Sequence, residues 1–177
     1  DVEPPKKIFA HGWWTNEGKK ISKSLGNVID PYEIINEYGL DQIRFFLFRE
    51  VPFGNDGDFS KNAISKRINA DLSNNYGNLI QRILSFIVKN CDSTLEPSNK
   101  FSADDKKILN SLNTKFKEYS NYMTNQQIDK SIKSIMEILS LTNSYVDDQA
   151  PWSLKKTNKE RMEVVLFVTV NIIIKSS

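Results

Sequence analysis

The sequence predicts a mainly α protein: a small β-hairpin/α head followed by an antiparallel α-helical bundle. Apolar residues recur at helical spacing from Ile64 to the end of the chain. Capping residues stand before these stripes, with Ser60, Ser102 and Asn158 each preceding a helical pattern. β character is confined to the first 25 residues.

The runs KKIFAHGWW and KKIS read as short strands joined by TNEG, where Asn16 and Gly18 supply turn chemistry. Trp13 and Trp14 alternate faces on such a strand, one expected in the core and the other beside the following loop. Pro31 suits a first helical turn, Ile34, Ile35 and Tyr38 share a face, and Gly39 stops that helix. DQIRFFLFRE is a second short helix, in which Asp41 and Arg44 read as a local structural pair. VPFGNDGDFS reads as a loop.

From Ser60 a long helix carries Ile64, Ile68, Leu72, Leu79, Ile83 and Ile87, with Asn74, Asn75 and Gly77 as a polar interruption. CDSTLEPSNKF is a linker. Ser102 caps a helix running through Ile108, Leu112, Phe116 and Tyr119. TNQQ separates it from a helix with Ile128, Ile132, Ile135, Ile138 and Leu139 that ends before Pro151. After PWSLKK, Asn158 caps a last helix reaching the chain end. Short connections favour up-down packing. The expected division is a head over 1–60 and a helical domain over 61–177.

At 177 residues, with 39% hydrophobic and 26% charged content, the chain suits a soluble globular class. A net charge of +2 does not by itself announce a nucleic-acid binder. The single cysteine, Cys91, excludes an internal disulfide framework and a cysteine-only zinc site, and suits a reducing compartment. The terminal run VVLFVTVNIIIKSS is shorter than the roughly 20 apolar residues a bilayer span requires. Both ends read as places where a longer chain was divided.

The segment HGWWTNEGKKISKSLGN gathers Lys19, Lys20 and Lys23 with the hydroxyls of Ser22 and Ser24 between Gly18 and Gly26. Phosphates call for this chemistry: ammonium groups as movable charges, and hydroxyl or backbone N–H donors. Such a loop can close on a triphosphate and neutralise charge that grows in the transition state. A solvated turn with lysines for solubility fits the composition equally well.

The exact string adds information. KISKS, Lys20 to Ser24, resembles the KMSKS signature of class I aminoacyl-tRNA synthetases, with Ile21 in the usual Met position. HGWWTNEGKKISKSLGNVIDP is similar to the methionyl-tRNA synthetase version. RFFLFREVPFGNDGDFS, Arg44 to Ser60, is close to a stretch typical of that family, and DQAPW, Asp148 to Trp152, matches a third motif. A leucine, isoleucine, valine or cysteine enzyme of the same class would share the loop, and PFGNDGDFS argues against these.

The resemblance implies an enzyme that activates methionine with ATP (and Mg2+), releases pyrophosphate and transfers the methionyl group to tRNA(Met). It implies that Lys20 and Lys23 act on the ATP phosphates, with Ile21, Ser22 and Ser24 in the same loop. It puts His11 near the nucleotide, although a lone histidine at a strand end is more often structural. Residues 25–60 would be a stem-contact module, the helical domain would bind the anticodon, and no metal site would lie in this part of the chain.

In the family an Asn and an Arg one turn apart, with a Trp on a neighbouring helix, read the anticodon. Asn78 and Arg82 stand at i and i+4, and Trp152 follows Pro151. Amide and guanidinium groups can read base edges while a base stacks on indole. Without the resemblance, Trp152 reads as a plug of the bundle and Arg82 as a solvated residue.

The family's HIGH-type motif, methionine pocket and metal-binding insertion are not in the sequence, and HGWW is not that motif. The expectation is therefore a fragment that cannot form methionyl-adenylate alone. A tRNA-binding module without its own catalysis is the alternative. The implied setting is a bacterial-type cytoplasm, with a mitochondrial one left open.

Overall fold

The computed structural model describes residues 2–177. In chain order the head holds β1 (Trp14–Asn16), β2 (Lys19–Lys20), a 3-10 turn (Lys23–Leu25), α1 (Pro31–Tyr38), α2 (Leu40–Glu50) and β3 (Gly57–Asp58). One continuous helical path then runs through α3 (Lys61–Arg67), a π-helical segment (Ile68–Gly77) and α4 (Asn78–Asn90). The chain finishes with α5 (Ala103–Thr124), α6 (Ile128–Gln149), α7 (Pro151–Thr157) and α8 (Lys159–Ser176). The expected mainly α architecture, a small β-containing head followed by helices, is what forms.

The sheet order is β2-β1-β3. β1 and β2 are antiparallel, pairing Thr15 with Lys20, whereas β1 and β3 are parallel, pairing Trp14 with Gly57. Beneath the sheet, Ile34, Ile43, Phe46 and Ile64 form a small core. Trp14, Phe46 and Phe59 interlock there with ring centroids 5.7–6.1 Å apart. Asp30 caps α1 through the Tyr32 N–H, with Pro31 at the first turn as expected.

Two expectations about the head change. KKIFAHGWW is not a strand before Trp14, and Ile8 is 85% exposed. A strand needs a partner for its backbone groups, and β3 is only long enough to pair with Trp14 and Thr15. VPFGNDGDFS, read as a loop, supplies that partner strand. The Gly57 N–H donates to the Trp13 carbonyl at 2.9 Å and the Phe59 N–H to Thr15 at 2.8 Å. A Cβ on Gly57 would lie 2.4 Å from Val51 Cγ2 and 2.8 Å from the Trp14 ring, so the strand crosses the indole only as glycine.

The polar interruption at Asn74, Asn75 and Gly77 does not break the helix. It widens it into a π-helix, in which the Asn78 N–H donates to the Ser73 carbonyl five residues back. The asparagines stitch this segment to α6. Asn75 Nδ2 donates to the Met136 carbonyl at 3.0 Å, and Asn143 Nδ2 donates to the Asn75 carbonyl at 3.1 Å.

Asp71, in the same segment, lies 3.2 Å from Arg49 of α2 and 3.4 Å from Arg67, while Arg67 also donates to Glu50 at 2.8 Å. These ion pairs tie the head to the bundle. Asp41 and Arg44, expected to pair, do not come within ion-pair distance of each other: the charges of α2 that find partners are Arg49 and Glu50 at its end, which face Asp71 and Arg67 of the long helical path.

The main core is shared by α4 (Leu79, Ile83, Ile87), α5 (Ile108, Leu112), α6 (Ile138, Leu139, Val146) and α8 (Met162, Val165, Leu166, Ile172). Ser102 opens α5 with a capping box completed by Asp105, and Asn158 caps α8 through the Arg161 N–H. PWSLKK, read as a connection, is the short helix α7, with Pro151 in its first turn. Cys91 is buried at the end of α4, and burial pushes its thiol up. No helix is long and apolar enough to cross a membrane among the described residues.

Candidate functional site

The loop that carries KISKS begins on β2 and ends at Gly26, whose φ of 64° lies in the left-handed region glycine favours. Its backbone is tied at the base by Asn27. Asn27 Oδ1 accepts the Ser22 N–H at 2.9 Å, and its Nδ2 donates to the Lys20 carbonyl at 3.0 Å. Asn16 Nδ2 in turn donates to the Asn27 carbonyl at 2.9 Å. Ser22 Oγ accepts the Leu25 N–H and lies 3.1 Å from Ser24 Oγ.

On the far side of the hairpin, Asp58 Oδ1 accepts from Thr15 Oγ1 and from the Gly18 N–H, both at 2.7 Å. Asp56 Oδ1 likewise accepts the Trp13 N–H at 2.7 Å. The acidic residues of NDGDF are therefore spent on fixing the hairpin.

Against this fixed frame Lys19, Lys20 and Lys23 are exposed, and among the described residues none of them lies within ion-pair distance of a carboxylate. Ile21 and Ser22 are half-buried and anchor the loop between the lysines. Three ammonium groups without counter-charges, around hydroxyls and glycine-bounded backbone, offer positive charge to an anion of several oxygens.

His11 is exposed and its Nδ1 is 2.8 Å from the Gly12 carbonyl. It lines a shallow pocket with Leu47, Phe48, Val51 and Phe53, and none of residues 20–24 belongs to that pocket. Of the two tryptophans, Trp14 is the core residue, while Trp13 is 78% exposed.

At the other end of the molecule the structure brings Arg82 and Trp152 together. The Arg82 guanidinium stands 5.9 Å from the centre of the Trp152 ring, a cation–π distance. Its Nη1 donates to Asp147 at 2.9 Å and its Nη2 to Asn143 Oδ1 at 3.2 Å. Asn78 lies one turn before Arg82 on α4, and both are exposed. The Trp152 ring is 43% exposed rather than plugged into the bundle. A half-exposed indole beside a guanidinium, with the exposed amide of Asn78 on the same helix as that guanidinium, can stack and hydrogen-bond a planar heterocycle.

Residues 1–84 match the family model described as "tRNA synthetases class I (M)", and residues 96–175 match "Anticodon binding domain of methionyl tRNA ligase". The chain belongs to the methionyl-tRNA synthetase family. It is 46% identical over 169 residues to a methionine–tRNA ligase of Brucella suis and 45% identical over 176 residues to one of Rickettsia conorii. Those alignments take in 96% and 98% of this chain, which spans about a third of the length of these curated relatives. Among solved structures, a Mycobacterium tuberculosis methionyl-tRNA synthetase in complex with methionyl-adenylate superimposes with a TM-score of 0.93 at 38% identity. That match covers 99% of this chain and 35% of the other.

Sequence reasoning missed Asn27 and Asp58, which hold the loop, and Asn143 and Asp147, which hold Arg82. The signal for Asp58 lay in the PFGNDGDFS match, where the aspartates passed as loop composition. Asn143 lies on α6 and meets α4 only through the fold. Among the described residues no group of three or more His, Cys, Asp or Glu side chains could hold a metal ion.

Proposed function

We propose that the chain is the part of a methionine–tRNA ligase that supplies the phosphate-binding loop of the ATP site and the anticodon-binding bundle. The parent enzyme activates methionine with Mg2+-bound ATP and transfers it to tRNA(Met). The observation that carries this reading is the fixed frame of the KISKS loop beneath unpaired lysines, in a chain of this family. Lys20 and Lys23 meet the triphosphate and offset the charge that accumulates as pyrophosphate leaves. Ser22 and Ser24 donate to the same oxygens, and Ile21 seats the loop. Neutralisation of this kind costs no reorganisation when the backbone is already held, as Asn27 and Asp58 hold it here.

In this reading His11 lies near the nucleotide, although it shares no pocket with residues 20–24. Asn78 and Arg82 read base edges of the CAU anticodon while Trp152 stacks on a base. Residues 1–60 serve the ATP and stem contacts and residues 61–177 the anticodon. The bacterial origin of the relatives supports a cytoplasmic setting.

Methionine and the nucleoside of ATP are met by parts of the enzyme outside this chain, so the chain alone forms no methionyl-adenylate. In the full-length enzyme, Lys20→Ala and Lys23→Ala should each lower methionine-dependent ATP–pyrophosphate exchange about 100-fold, chiefly in kcat. Exchange at the unaltered rate contradicts the phosphate role. A second reading, a tRNA-binding module without catalysis, draws on the Arg82–Trp152 pair, which is complete within the bundle. Exchange by the full-length enzyme that depends on Lys20 and Lys23 supports the first reading, and its absence from the full-length enzyme leaves the second.

A further inference from the structure

One end of the bundle carries a buried polar cluster that the proposed chemistry does not use. Asp105, fully buried near the start of α5, accepts from the Tyr145 hydroxyl of α6 at 2.6 Å and from the Ser102 N–H at 2.9 Å. Arg161 of α8 grips it with both terminal nitrogens, Nη2 to Oδ1 at 2.7 Å and Nη1 to Oδ2. The same Nη2 donates to Gln149 Oε1 at 2.6 Å, and Gln149 Nε2 donates to Asp104 at 3.2 Å. The first turns of α5 and α8 are thus tied to the last turn of α6.

Gln149 is the final residue of α6. Ala150 follows with φ 43° and ψ 63°, a left-handed conformation an alanine adopts only when its surroundings impose it. Buried Pro151 then starts α7, and Trp152 is the next residue. The corner has no glycine to relax it, and its direction follows from how the last turn of α6 is held. That turn is gripped on opposite sides: Tyr145 and Gln149 reach Asp105 and Arg161, while Asn143 and Asp147 reach Arg82. A buried ion cluster adds little net stability over apolar packing of the same volume, so its place beside this corner calls for another account.

We infer that Asp105, Arg161 and Gln149 form a positioning clamp that fixes the α6–α7 corner and so sets where the Trp152 ring stands beside Arg82. The inference rests on the reading of Trp152 as the residue that stacks on an anticodon base. Gln149 is the sensitive member: half-buried, it joins the corner to the cluster, and its loss leaves the Asp105–Arg161 pair in place.

The test uses the full chain and two readouts. The indole N–H resonance of Trp152, assigned with Trp152→Phe, reports the ring's surroundings without ligand. Titration with an anticodon stem-loop RNA bearing CAU reports recognition. Gln149→Met keeps the volume and removes both hydrogen bonds. It should move the Trp152 resonance toward its solvent-exposed position and weaken RNA binding about five-fold or more, with the melting temperature nearly unchanged. Gln149→Glu, which keeps an acceptor for Arg161 but sets a carboxylate against Asp104 in place of the donor, should restore the resonance in part.

An unmoved resonance in Gln149→Met overturns the clamp. So does a moved resonance with unaltered RNA affinity, provided Trp152→Ala weakens binding. Unaltered affinity in Trp152→Ala instead removes the anticodon reading, and the clamp's role in recognition with it.

Discussion

Lys20 and Lys23 stand on a loop whose backbone is stapled by Asn27 and Asp58 while their ammonium groups meet no carboxylate; Arg82 stands on a helix and is already held by Asp147, Asn143 and the Trp152 ring. The loop orders its frame and leaves its charge unspent. The bundle orders its side chains and leaves a half-exposed indole beside them. A polyanion whose charge grows during a reaction suits the first arrangement, since unpaired cations respond to new charge without first breaking an ion pair. A neutral, planar base suits the second, where shape and stacking matter more than net charge. The Arg82–Asp147 pair is itself exposed on both sides, 40% and 58%, so exchanging it for a base edge costs little.

The largest way to break this contrast lies in the bundle. Asp105→Ala leaves the half-buried Arg161 and the Tyr145 hydroxyl without their partner and should cost about 3 kcal/mol, lowering the melting temperature by roughly 10 °C. Calorimetry of the chain checks this, and a shift under 2 °C or so would contradict the buried-pair account.

Acid acts on the same group. Burial alone would raise the Asp105 carboxyl; hydrogen bonds from Arg161, Tyr145 and the Ser102 N–H reverse that and hold it at about 2. A carboxylate depressed on folding gives stability that is complete above its unfolded value near pH 4 and is lost as pH falls toward 2. That contribution is on the order of 2 kcal/mol. Urea unfolding at pH 5 and at pH 2.5 should show it, and Asp105→Asn should flatten the difference. The same burial, reinforced by the Asp105 carboxylate, pushes the Tyr145 phenol up, so it stays a donor throughout this range.

The smallest effect sharpens the head. Asn27→Ala removes two hydrogen bonds at the loop base and should cost about 1 kcal/mol locally while the bundle stays intact. Hydrogen exchange at the Ser22 amide should then quicken severalfold with α5 and α6 unchanged. Equal exchange would mean that Asn27 does not hold the loop.

The helices were legible because their signals are local. Ser60, Ser102 and Asn158 announced their caps, and the Ile stripes on α4 and α6 announced the faces that meet. β3 was not legible, since a two-residue parallel strand in a Gly- and Asp-rich stretch is defined only by Trp14, more than 40 residues earlier. The π-helical segment was seen as a polar interruption because Asn74, Asn75 and Gly77 carry poor helix propensity, yet Asn143 repairs what they leave unpaired. KISKS and the Asn78–Arg82 spacing could be read directly, whereas Asn27, Asp58, Asn143 and the Gln149–Arg161–Asp105 cluster act across the fold and could not.

The division of labour between loop and bundle is tested most directly by titrating the chain with two anticodon stem-loop RNAs that differ only in CAU against an altered triplet. Recognition by Asn78, Arg82 and Trp152 predicts CAU binding tighter by about ten-fold, with Trp152→Ala erasing the difference and Lys20→Ala/Lys23→Ala leaving it in place. Equal affinity for the two RNAs would contradict the account.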